Sequence, residues 1–156
     1  KEFTVKDIEE IYDVRILLES YAIKNSVKTL TSKNIQELME TLQLLVKYYE
    51  KNDLTHYIEV DTQLHQYIIN LGGNSLIVDT YRRIYSQSQQ FRIYSLTTQR
   101  RFDDSVTEHR SIVENICSGN WKEADRVNKI HLALAREEII QHFESKKAVE
   151  EEQENE

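Results

Sequence analysis

Apolar residues recur at steps of three and four along nearly the whole chain, the period of helices with one buried face, and nowhere alternate as in a half-buried strand. The first such segment runs from about Val5 to Thr29 and places Ile8, Ile11, Arg15, Leu18 and Ala22 on one stripe. Thr31 or Ser32 caps a second, whose inner face is Ile35, Leu38, Leu42, Leu45 and Tyr49. Asn52-Asp53 interrupts the pattern and starts a third segment from Leu54 to Leu71, which Gly72-Gly73 closes. A fourth, about Ser75 to Thr98, interleaves Tyr81, Ile84, Tyr85, Phe91 and Tyr94 with Gln87, Gln89, Gln90 and Arg92, a mixture suited to a polar cavity or a partly exposed face. Arg100 to Asp104 reads as a connection. A fifth segment then runs from about Asp104 to Cys117, and a sixth from about Trp121 to Phe143. The pattern predicts an all-α protein, an antiparallel bundle of about six helices with short connections.

Composition sharpens that reading. Proline is absent and glycine occurs only three times in 156 residues, so little interrupts a helix. A formal charge of −7 argues against a nucleic-acid surface on this segment, because neutralising phosphates needs clustered Lys and Arg. Much of the acid excess lies after Phe143, which divides the chain into a globular part, 1–143, and a charged tail, 144–156, expected to be disordered. The single cysteine, Cys117, excludes an internal disulfide framework and fits a reducing compartment. No apolar run reaches the length of a membrane span or signal peptide, so the expected location is the cytoplasm, with no membrane contact. The chain opens on Lys1 and its sole methionine is Met39, as expected of a piece of a longer protein.

The candidate chemistry lies where the stripes fail to be apolar. In the third segment the stripe is Leu54, Ile58, Asp61, His65 and Ile68, which sets a carboxylate and an imidazole one turn apart on a face that should be greasy. Burying both without partners costs several kcal/mol by transfer arguments, on the order of 2–7 for a polar group and more for a charge. A cation would satisfy both. His109 shares its stripe with Ile112, Val113 and Ile116, and His131 shares its own with Ala124, Val127, Leu134 and Ala135. His56 lies on the opposite side of its helix from His65, and His142 sits about 16 Å along the axis from His131, too far to join the same ion. Each of the remaining histidines alone is more often a satisfied core residue than a ligand. Together with Asp61, His65, His109 and His131 form a set suited to a divalent metal, either a closed tetrahedral zinc site or one with open positions. Arg15 also interrupts a stripe. It either pairs with Glu19 one turn on or points into a cavity to hold an anion.

Several pieces, taken in order, resemble a known family: Asp7-Ile8 through Arg15, Leu18 and Glu19; Asp61-x-x-Leu64-His65; Gly73-Asn74 before Leu76; Glu108-His109 with Ile112; and Gly119-Asn120-Trp121 through Ala124 to His131. Their order and spacing resemble the FCD domain, the effector-binding C-terminal domain of the FadR branch of GntR transcriptional regulators, over nearly the whole chain up to Phe143. Six helices rather than seven resemble the VanR type. The resemblance implies a metal held by Asp61, His65, His109 and His131, zinc first, with nickel or manganese as alternatives. It further implies a homodimer that senses a small carboxylate effector, with Arg15 and Arg92 matching arginines that face the cavity. DNA would be reached only through an N-terminal winged-helix domain, which this chain lacks. Leu64 departs from the aromatic usual before the second ligand, a change of packing rather than of chemistry.

The expectation is therefore a sensor, not an enzyme. A metal-dependent, hydrolase-like bundle enzyme would use a metal-bound water as nucleophile. The chain carries no Glu-x-x-His pair of the di-iron kind and no His-Glu-x-x-His, and Glu108, adjacent to His109, is expected to point away. Cys117 has no histidine beside it at helical spacing. A metal-free dimerisation module is the remaining alternative and predicts stability indifferent to metal.

Overall fold

The computed structural model describes residues 2–156. Six α-helices follow one another: α1 (Val5–Ser26), α2 (Ser32–Glu50), α3 (Leu54–Leu71), α4 (Ser75–Ser88), α5 (Gln99–Cys117) and α6 (Trp121–Glu154), with a 3-10 helix at Arg92–Leu96 between α4 and α5. Local signals start most of them. The Thr4 hydroxyl accepts from the Asp7 amide while the Asp7 carboxylate accepts from the Thr4 amide, and Thr31 with Asn34 repeats this reciprocal cap on α2. Asp53, Asn74 and Thr98 cap α3, α4 and α5 through their side chains. Gly73 leaves α3 at φ +71°, a conformation that costs a β-carbon-bearing residue strain. Gly72 is needed for a different reason: a Cβ there would stand 2.8 Å from the Ala22 Cα, so the end of α3 rests directly on the α1 backbone.

Helix α1 lies along α6 and α3, α2 packs on α3 and α5, and the 3-10 segment sits against α6. The apolar interior falls into two clusters. The larger includes Ala22, Leu38, Leu45, Leu64, Ile68, Ile112 and Ala124, and the smaller includes Ile8, Tyr12, Phe91, Leu132 and Ile139. Along α1 the smaller cluster comes first, and along α6 the larger does, so these helices run antiparallel. Between the clusters both carry buried polar residues: Arg15 and Glu19 on α1, Asn128 and His131 on α6. The candidate site is this polar layer.

Two expected boundaries are corrected. The fourth segment ends at Ser88 instead of Thr98, because the glutamine- and serine-rich run that follows turns to bury Phe91, Arg92 and Leu96. Residues Arg100 to Asp104 are not a connection but the opening turns of α5, started by the Thr98 cap. The tail expected to be disordered is helical to Glu154, with every residue from 144 onward exposed. No proline or glycine stops the helix there, and Ala, Glu, Lys and Gln continue it on propensity alone. Among the described residues no helix is long and apolar enough to cross a membrane.

Candidate metal centre

Three helices converge on one point. Asp61 and His65 project from α3 one turn apart, His109 from α5 and His131 from α6, and each offers a ligand atom within 4.8 Å of the others. Asp61 Oδ1 lies 3.1 Å from His65 Nε2 and 2.9 Å from His109 Nε2, and these two nitrogens are 3.2 Å apart. The His65 and His131 rings stack nearly parallel, and His109 meets His131 edge-on at 4.4 Å between centroids. All three histidines are buried. Asp61 Oδ1 is buried too, yet neither nearby ring nitrogen is aligned to hydrogen-bond it. The Tyr57, Val60 and Leu64 side of α3 is buried more deeply than the expected Leu54 and Ile58 edge, which widens the stripe while leaving Asp61 and His65 inward.

The far nitrogen of each ring is occupied. His65 Nδ1–H donates to Glu19 Oε1 at 2.5 Å and His131 Nδ1–H donates to Glu108 Oε1 at 2.6 Å. His109 Nδ1 stands 2.9 Å from the Tyr57 hydroxyl and 3.3 Å from the Ser105 hydroxyl. An imidazole that donates from Nδ1 presents a lone pair at Nε2, and here the Nε2 atoms of His65 and His109 both face an unpartnered carboxylate oxygen. A divalent cation among them would take these atoms as ligands in place of their contacts with one another. The donor set therefore fits a metal on the chemistry of its own atoms.

The surrounding charges are mutually supporting. Burial works to raise the Asp61 carboxyl, but His109 and His65 outweigh it and hold it well below the usual carboxylate range. Burial works against protonation of His65, while Glu19 and Asp61 reverse the balance and raise it. Burial and the neighbouring His109 push His131 down to about 4, so its ring is neutral at pH 7. Glu108, despite partial burial, is held at about 2 by its bonds from His131 and Arg101.

At the centre, Arg15, Arg92 and Arg101 line a small cavity together with Asp61, His65 and His131, of about 10 Å³, room for a single ion or water. Arg15 Nε donates to Glu19 Oε2 at 2.9 Å, so the expected pairing one turn on exists, but it is buried and its guanidinium also reaches the cavity. Arg92 is buried, donates to the Thr62 hydroxyl at 2.7 Å and lies over the Tyr85 ring, and has no carboxylate partner among the described residues. Arg101 places its two terminal nitrogens on the Glu108 carboxylate at 3.0 Å each, while its buried Nε has no partner.

All six residues singled out from the sequence thus lie at this site, four as potential ligands and two as cavity walls. His56 pairs instead with Asp53 in an exposed position, and His142 stacks on Tyr94, both outside the centre as expected. Glu108 does point away from His109, but toward His131 on α6, a role that reasoning within a single helix misses. Tyr57 is missed for the same reason, Glu19 is expected as the partner of Arg15 but not of His65 on α3, and Arg101 is missed although Glu108 lies seven residues along its own helix.

Comparison with known proteins agrees with this architecture. The FCD domain family model matches residues 10–134. The HTH-type transcriptional regulator YdhC of Bacillus subtilis is 25% identical over 141 residues, which are 90% of this chain and 58% of YdhC. The gluconate operon transcriptional repressor of the same organism is 25% identical over 115 residues, 72% of this chain and 45% of the repressor. The chain thus spans about half the length of the curated relatives it matches. Among solved structures, the metal-free FCD domain of TM0439 superposes with a TM-score of 0.79 at 24% identity, covering 93% of this chain and 99% of that one. The Zn2+-bound form of the same domain gives a TM-score of 0.72 at 25% identity, covering 92% and 98%.

Proposed function

Since the chain belongs to the FCD domain family, we propose that it is the metal-dependent, carboxylate-sensing and dimerising domain of a bacterial GntR-type transcriptional regulator. The observation that carries this reading is the buried Asp61 Oδ1, without an aligned donor and set against the Nε2 atoms of His65 and His109, with His131 completing the ring of donors. Asp61, His65, His109 and His131 would hold the metal. Zinc is the first choice, given the imidazole-rich set and the zinc-bound form of a similar FCD domain, with nickel or manganese as alternatives. Bound there, the metal would supply a Lewis acid for an oxygen ligand.

The effector class follows from Arg92. A buried guanidinium with only a hydroxyl and a ring for company favours an anion, and Arg15 presents a second guanidinium to the same cavity. A small carboxylate suits both the arginines and an oxygen-seeking metal, and the name of the gluconate operon repressor is consistent with that class. Because the cavity is so small, an effector must displace side chains of α1, α5 or the 3-10 segment, and this difference between states is what a sensor transmits. The exposed apolar stripe Val14, Leu17 and Tyr21 on α1 supports self-association as a homodimer. In a longer cytoplasmic regulator, the change would reach DNA through a separate winged-helix domain. The metalloenzyme alternative lacks a free general base, since Glu108 is engaged by His131 and Arg101 together.

Thermal melts test the effector reading. Zinc-loaded protein should melt higher in at least one of acetate, lactate, gluconate or malonate, and Arg92→Ala should weaken that response about 10- to 100-fold in concentration, the loss of a charged hydrogen bond. A wild type indifferent to every carboxylate, or a variant with an unchanged response, would contradict it.

A further inference from the structure

Around the four candidate ligands the chain builds an outer layer that differs from one imidazole to the next. His109 is backed by neutral hydroxyls, those of Tyr57 and Ser105, whereas His65 and His131 are each backed by a carboxylate. Neither carboxylate is casual. Glu19 is fully buried and receives four side chains from four helices: Arg15 of its own α1, His65 of α3, Tyr81 of α4 and Asn128 of α6. Glu108 is held by both terminal nitrogens of Arg101 and by His131. The two supports have the same plan, an arginine that lines the cavity, a glutamate fixed by it, and an imidazole oriented by the glutamate.

We propose that Glu19 and Glu108 are positioning residues for the metal, each fixing one ligand imidazole by accepting its Nδ1–H so that Nε2 is turned toward Asp61. This rests on the metal reading above. The physical case is that a carboxylate behind an imidazole fixes ring orientation and tautomer and raises the basicity of the opposite nitrogen. A buried carboxylate can do this only if its own charge is compensated. Arg15 and Arg101 provide that compensation, and Tyr81 and Asn128 add further bonds to Glu19. Two glutamates on different helices each reach the Nδ1 of a different histidine, and both histidines belong to one cluster of potential ligands.

The test is zinc affinity, measured by competition with a chromophoric chelator on the full chain, for wild type, Glu19→Gln and Glu108→Gln, beside the melting temperature of each metal-free protein. An amide keeps the size and an acceptor but loses the charge. Each variant should bind zinc about 10- to 100-fold more weakly, the range typical of such outer partners. A purely structural role for the glutamates would lower the metal-free melting temperature and leave zinc affinity at the wild-type value, and that result would overturn the proposal. Should Glu19→Gln fail to fold, Glu108→Gln, at the partly exposed edge of the layer, decides by the same criterion. A wild type that binds no zinc would sink the metal reading itself, and the proposal with it, an outcome distinct from wild-type binding retained in the variants.

Discussion

At Asp61 burial, missing alignment and close imidazole nitrogens meet on one oxygen, while on the far side of each ring His65, His109 and His131 are held by Glu19, by Tyr57 with Ser105, and by Glu108. Those outer bonds contribute to the fold without a metal. Tyr57→Phe should therefore destabilise the protein by about 1–2 kcal/mol in urea unfolding, because the His109 Nδ1 and Ser105 hydroxyl lose a buried partner. An unchanged midpoint would mean that Ser105 alone satisfies the ring. At this scale the candidate ligands are legible in the sequence and their supports are not. A polar residue on an apolar stripe is visible from helical spacing, which is how Asp61, His65, His109 and His131 stand out. Which neighbour answers it depends on how helices cross, and no spacing within one helix reveals that Glu108 turns to His131 or that Glu19 reaches His65.

The elements differ in how sharply the sequence marks their ends. Helices α1 to α3 begin at caps that the sequence displays, and α3 stops at Gly72-Gly73 as expected. The boundary between α4 and α5 lies several residues from its expected place because the run from Gln87 to Thr98 has neither glycine nor proline to mark it, and the chain turns there to bury Phe91 and Leu96. That turn matters for the site, since it brings Arg92 and Ser95 to the cavity wall. Gly72 shows an element end set by packing. Because a Cβ there would meet the Ala22 backbone, Gly72→Ala should cost about 1–3 kcal/mol by forcing α3 off α1. A melting temperature equal to wild type would show that the two helices separate freely at that end.

Across the whole molecule, the bundle is two apolar clusters with a charged layer between them, in which Glu19 and Glu108 each pair with an arginine of their own helix and with a histidine of another. The cluster of Asp61, His65, His109 and His131 draws on α3, α5 and α6 and is supported from α1 through Glu19, so it joins four of the six helices. The outer face of α1 carries Val14, Leu17 and Tyr21, with Leu17 70% exposed. If this stripe is where two copies meet, Leu17→Glu should convert a dimer to a monomer in analytical ultracentrifugation while leaving the helical content intact. A dimer that persists at the same concentration would place the contact elsewhere.

The proposed function depends above all on whether Asp61, His65, His109 and His131 hold a metal. Elemental analysis of wild-type protein purified without a polyhistidine tag, beside His109→Ala, tests it most directly. About one equivalent of a transition metal per chain is expected in the wild type, as a four-donor site binds one ion, with a sharp fall in the variant. A wild type that is empty and gains no thermal stability from added zinc, nickel or manganese would contradict it.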